Sequence, residues 1–225
     1  LGDGMYLYWR TVIARASPLI PDGDDDREAG LALLKKVEKE GVLLGPAATL
    51  ALTYSYIEEH DLKNALARAM YGRQKYPGNV INNLTAGRIL VSMRRYDDAI
   101  RMYRDVLSSA PDNQRSHYHL GVVYARLQRY AEAEKEFRRT LQLRPSDAEA
   151  HYDLALIAAR RGDYNGARSG YLAALRADPK NADARYDDGN AVMHHLMQGS
   201  GSEFGFGGIT DILMYRERGL VLVGP

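Results

Sequence analysis

Residues 114–147, QRSHYHLGVVYARLQRYAEAEKEFRRTLQLRPSD, decide the fold, because most of the chain repeats this stretch. Pro77, Pro111, Pro145 and Pro179 stand 34 residues apart, and Ala65, Ala99, Ala133 and Ala167 keep the same step. So do Tyr96, Tyr130 and Tyr164. A fixed period of this length marks stacked structural units rather than one central core.

The stretch reads as a helix–turn–helix. Tyr118, Gly121, Val122 and Ala125 recur at helical spacing, with Leu120 and Tyr124 beside them. Gly121 is small where a partner helix has to come close. Gln128, Arg129 and Tyr130 break the pattern and turn the chain. A second helix is expected from about Ala131 to Leu143, with Ala133, Phe137 and Leu141 facing the first. Pro145 ends it, since proline lacks a backbone N–H and biases the preceding residue away from helix. Ser146 or Asp147 then caps the next helix. Neither helix buries its apolar stripe alone, so each unit needs its neighbour.

These residues resemble the tetratricopeptide repeat. The pattern of that family has an aromatic, a Leu and a Gly in its first helix, followed by a Tyr, an Ala, an aromatic and a closing Pro. In the central unit those places fall on His117, Leu120, Gly121, Tyr124, Ala133, Phe137 and Pro145. The unit before it offers Asn83, Ala86, Gly87, Leu90, Ala99, Tyr103 and Pro111. The unit after it offers His151, Leu154, Ala155, Ala158, Ala167, Tyr171 and Pro179. The earliest offers Thr49, Leu52, Thr53, Tyr56, Ala65, Ala69 and Pro77. The leading aromatic is missing from all four, so packing there departs from the pattern. The resemblance implies an all-α fold, a right-handed α-solenoid of helix pairs, with four repeats at 46–79, 80–113, 114–147 and 148–181.

The flanks are less regular. Residues 1–45 are expected to form a degenerate, capping helix pair. Its first helix, over 5–16, has Tyr6, Trp9, Val12 and Ile13 available for packing. Its second, over 27–41, places Gly30, Leu34 and Val37 toward the first. Asp22, Asp24 and Asp26 fall short of a calcium loop, because the sixth position is Arg27 and the distal Glu is absent. They suit the positive end of a helix dipole instead. Residues 182–198 begin another first helix, with Tyr186, Gly189 and Val192 in register, and are expected to cap the stack. Residues 199–208 are Gly/Ser-rich and read as a flexible, engineered linker. Residues 209–225 lack the repeat pattern. Two readings stay open: a peptide from a binding partner joined by fusion, or a natural tail with a vector-derived end.

The resemblance also implies where ligand contacts fall, on the first helices lining a concave groove. The fifth places are Leu50, Leu84, Tyr118, Tyr152 and Tyr186, and the ninth are Tyr54, Arg88, Val122, Leu156 and Asn190. Arg126 and Arg160 take two of the thirteenth places. Tyrosine gives contact area at low entropy cost, and arginine holds carboxylates in a fork. Such a groove suits a peptide with apolar anchors and an occasional acid. The chain's own tail has both, in Ile209, Ile212, Leu213 and Met214 and in Asp211 and Glu217, and binding in cis or in a tail-swapped homodimer is expected. For Tyr118, Tyr152 and Tyr186 the alternative is packing between adjacent helices. Leu50 and Tyr54 stand where chaperone-tail clamps of this family carry Lys and Asn, so that class is not expected.

Composition removes other classes. With 30 Lys and Arg against 29 Asp and Glu, the net charge of +1 argues against a dedicated nucleic-acid binder. There are no cysteines, which excludes disulfides, thiolate metal sites and cysteine nucleophiles. Cytoplasm and periplasm are both compatible with that. No apolar run approaches the ~20 residues that span a bilayer. No phosphate-binding loop or nucleophile signature is present. The His117/His119 and His194/His195 pairs are poorly spaced for one metal on a helix, and no cofactor is expected. The chain therefore reads as a non-enzymatic adaptor or scaffold that grips a linear segment of a partner protein. The alternatives are an assembly chaperone or pilotin-like factor for a membrane or secretion complex, and a regulatory region of a larger protein.

Overall fold

The computed structural model describes residues 1–16, 25–41 and 44–179, with the backbone alone for 11–16. Ten helices and no strand occur among the described residues. The fold is an all-α solenoid of helix pairs. It divides into two compact units, Leu1–Pro111 and Asp112–Pro225.

The first unit holds α1 (Gly2–Ala16), α2 (Arg27–Glu40), α3 (Gly45–Glu58), α4 (Leu62–Lys75), α5 (Val80–Ser92) and α6 (Tyr96–Ser109). Each helix packs on the next. At the α1–α2 crossing the two backbones nearly touch, and a Cβ on Gly30 would lie 2.7 Å from both the Gly4 carbonyl oxygen and the Tyr8 amide. That contact fixes the register of α1 and corrects one expectation. Tyr6 is 64 % exposed, whereas Tyr8 is fully buried and donates its hydroxyl proton to the Ser55 carbonyl at 2.7 Å. Trp9 is half-buried, and the side chains of Val12 and Ile13 lie outside the described residues. Asp26 precedes α2 without a side-chain capping bond and pairs with Arg10. Leu34, Ala51 and Leu52 form one core cluster, and Ala65, Ala69, Ala86 and Ile89 form another.

The second unit holds α7 (Gln114–Arg126), α8 (Tyr130–Leu143), α9 (Ala148–Arg160) and α10 (Tyr164–Ala177). Small residues set the helix spacing. A Cβ on Gly121 would meet Phe137 at 2.6 Å, and one on Gly170 would meet the Ala155 methyl at 2.8 Å. Phe137 is fully enclosed, a burial that contributes about 2–3 kcal/mol. Ala155, Ala167 and Tyr171 complete the core of the following pair.

The period reappears in the connections. Asn79, Asn113 and Asp147 cap α5, α7 and α9 by accepting from the amides of Ile81, Ser116 and Ala150 at 3.0, 2.9 and 2.9 Å. Asp61 and Asp163 do the same for α4 and α10. Between the helices of the pairs α3–α4, α5–α6, α7–α8 and α9–α10 one residue takes a left-handed backbone: His60, Arg94 and Gln128 with φ of 58°, and Gly162 with φ of 80°. Only the last is a glycine, so three turns carry side chains in a conformation that L residues disfavour.

Three of the four places lacking the leading aromatic are filled by polar contacts. Thr49 is buried and bonds the Gly45 carbonyl at 3.0 Å. His117 meets Glu136 at 2.6 Å, and His151 meets the Pro145 carbonyl at 2.9 Å. The linker, the tail and the 182–198 segment lie outside the described residues.

Candidate groove site

Helical spacing places Val122, Ala125 and Arg126 on one stripe of α7, and Asp153, Leu156, Ile157 and Arg160 on one stripe of α9. The two stripes, with Gln128 and Tyr130, line a pocket of about 410 Å³ within the second unit. Val122 and Leu156 make its apolar part. Arg126 and Arg160 are the last residues of α7 and α9, where a cation also meets the negative end of the helix dipole. Arg160 donates to the Tyr130 hydroxyl at 3.0 Å, and its guanidinium lies 5.9 Å from that ring's centroid. Arg126 is exposed.

Asp153 is the carboxylate among the residues lining this pocket. Burial pushes its pKa up to about 6; Glu149 and Asp147 add to the rise, while the Tyr118 hydroxyl and Arg126 oppose it. Tyr118 is in turn held well above the ordinary tyrosine range, first by burial and then by the charge of Asp153. Its ring rests 5.8 Å from Phe137, centroid to centroid. Tyr152 rests likewise 5.7 Å from Tyr171. Both tyrosines are half-buried between helices, and neither lines the pocket.

Four residues chosen from the sequence, Val122, Arg126, Leu156 and Arg160, thus come together around one pocket. In the first unit Leu50 and Tyr54 are half-buried, Leu84 is buried at 7 % exposure, and Arg88 is exposed. Tyr186, Asn190 and the tail residues Ile209, Asp211, Ile212, Leu213, Met214 and Glu217 lie outside the described residues. The sequence reading missed Asp153 and Tyr130. The stripe 153, 156, 157, 160 was the available signal for the first, and the 34-residue recurrence of Tyr130 for the second.

A second hollow, of about 790 Å³, lies on the second-helix side of the first unit. Met70, Tyr71 and Pro77 give it apolar surface, and an Arg73–Asp105 ion pair of 2.7 Å ties α4 to α6 across it. None of the ligand-contact residues chosen from the sequence lines it, although the repeat residues Pro77 and Asn83 do.

The sequence profile described as "Tetratricopeptide repeat" matches residues 84–148, 127–182 and 152–195. The chain carries tetratricopeptide repeats. Solved structures of similar fold include a thermophilic repeat protein of Thermus thermophilus, with 21 % identity and a TM-score of 0.63 over 84 % of this chain and 99 % of that one. MamA of Desulfovibrio magneticus RS-1 gives 18 % identity and a TM-score of 0.58, covering 80 % of this chain and 98 % of its own. A tetratricopeptide repeat protein of Parabacteroides merdae gives 16 % and 0.63, covering 97 % of this chain and 79 % of that one. No curated protein matches the sequence. At these identities the likeness concerns the fold. Proteins built from this repeat serve in protein–protein interaction, generally without enzymatic activity. Among the described residues no helix is long and apolar enough to cross a membrane.

Proposed function

We propose that this chain is a non-enzymatic adaptor that binds a linear segment of a partner protein along its first helices. The observation that supports this most is the pocket between α7 and α9, which joins an apolar part to two arginines. An apolar side chain of a ligand gains about 25 cal/mol per Å² of surface removed from water there. Arg126 and Arg160 add charge-assisted hydrogen bonds to a neighbouring acid or carbonyl. Leu50, Tyr54, Leu84, Arg88, Tyr118, Tyr152, Tyr186 and Asn190 extend the proposed contact surface, with Tyr118 and Tyr152 holding it in shape as well as touching ligand.

The segment 209–223, ITDILMYRERGLVLV, is the first ligand to test, since it carries apolar anchors and the acids Asp211 and Glu217. The chain shortened by residues 205–225 is titrated with this segment as a fluorescent peptide, followed by anisotropy. Saturable binding, weakened at least tenfold in the Arg126→Ala/Arg160→Ala variant, is the expected result; tenfold corresponds to about 1.4 kcal/mol. Binding that ignores both arginines, or none at all, removes the proposal.

A further inference from the structure

The α7–α9 pocket presents two cations and one carboxylate: Arg126 and Arg160 at the last turns of their helices, and Asp153 two turns back on α9. The balance favours an anionic group of a ligand. Asp153 and both arginines line the same pocket of about 410 Å³, and the charge of Arg126 already acts on the Asp153 carboxyl, so a ligand carboxylate held by Arg126 shares that pocket with Asp153. A ligand carboxylate beside Asp153 disfavours its ionised form further, because repulsion between the two is weakly screened away from bulk water. We infer that this pocket is an acid-accepting subsite whose occupation is coupled to the uptake of one proton by Asp153. The inference rests on the groove reading above and names the ligand chemistry and the regulation of that site.

Asp153 is the group that takes the proton at least cost, since burial and the nearby Glu149 and Asp147 already bring its titration to about 6. When protonated it changes from an acceptor into a donor and joins the arginines in holding the ligand's carboxylate. The groups facing it are Tyr118 and Arg126 from α7, Tyr130 from α8, Glu149 and Arg160 from α9, and Asp147 at the cap. His119 is one further titratable group to separate, as its ring lies 5.5 Å from that of Tyr118.

The test uses the chain shortened by residues 205–225, so that its own tail does not compete, and two fluorescent peptides, residues 209–223 and the same segment with D211N and E217Q. Binding is measured by anisotropy from pH 5.5 to 7.5. If only the protonated form of Asp153 accepts the acid, the acidic peptide binds roughly 25-fold more weakly at pH 7.5 than at 5.5, from the protonated fractions of a group titrating at about 6. The amide peptide changes less than threefold across that range. Asp153→Asn flattens the acidic peptide's profile at the tight level, whereas His119→Gln leaves the slope in place. Acidic-peptide binding with no pH dependence in the wild-type chain overturns the proton coupling and leaves the groove reading standing. So does a slope lost in His119→Gln but kept in Asp153→Asn. Absence of binding by either peptide at every pH overturns both. The comparison of the two peptides on the wild-type chain decides the matter even if Asp153→Asn folds poorly.

Discussion

Gly121→Ala separates the packing account of this fold from one based on helix propensity. Alanine in place of glycine in a helix interior gains about 1 kcal/mol. Here the added Cβ would stand 2.6 Å from Cε1 and 2.7 Å from Cδ1 of Phe137, against ordinary carbon–carbon contacts of about 3.5–4 Å. Phe137 is fully buried, so its ring has no solvent-side space to move into. Overpacking of this kind costs about 1–3 kcal/mol, and an overlap of roughly 1 Å on a ring belongs at the upper end. The net expectation is a loss of about 1–2 kcal/mol. For a chain of this size that lowers Tm by about 2–8 °C. Urea unfolding followed by far-UV circular dichroism reads the change. Gly2→Ala is the control, because a Cβ there meets nothing within 4 Å. Combining Gly121→Ala with Phe137→Leu relieves the clash, so the double variant loses less stability than the sum of the two singles. If Gly121→Ala instead stabilises by the full propensity gain, α7 and α8 are not held at the distance described.

Three further changes probe other parts of the argument. Asp153 titrates higher in the folded chain than its ordinary 3.8, so between about pH 4 and 6 the folded state binds more protons than the unfolded one and stability falls as pH rises. Asp153→Asn removes that loss, raising stability at pH 7.5 by up to about 3 kcal/mol and leaving it nearly unchanged at pH 4, as measured by thermal melts at both pH values. Asp147→Ala deletes the cap on α9 and the 2.8 Å bond from Gln114, which costs about 1–2 kcal/mol in the same urea assay. Gln128→Gly places the permissive residue at a φ of 58° and is expected to raise Tm by about 1–4 °C, whereas the same change at exposed Gln142 inside α8 lowers it.

The fold was legible because it is local and repeated. Pro145, Gly121, Ala133 and Phe137 each act within one helix pair, and their counterparts recur every 34 residues. A cap at Ser146 or Asp147 was readable because capping needs only the next three residues, and the structure gives the role to Asp147. Tyr8 was not foreseen, since the choice between Tyr6 and Tyr8 depends on where Gly4 meets Gly30 across two helices. The groove was legible in part. Val122, Arg126, Leu156 and Arg160, chosen from the sequence, line one pocket, whereas Tyr118 and Tyr152, at equally favoured places, turn toward Phe137 and Tyr171.

The sequence by itself determined the period, the pairing of helices and the small residues at their close contacts, because these follow from spacing and residue size along a short piece of chain. Only the tertiary structure decided which first-helix side chains reach a common pocket. Leu84 and Tyr118 hold the same place in their repeats, but their exposure depends on what the neighbouring helix presents. The protonation of Asp153 is likewise a tertiary property: its carboxyl is ordinary by sequence, and burial beside Glu149 and Asp147 makes it titrate near 6.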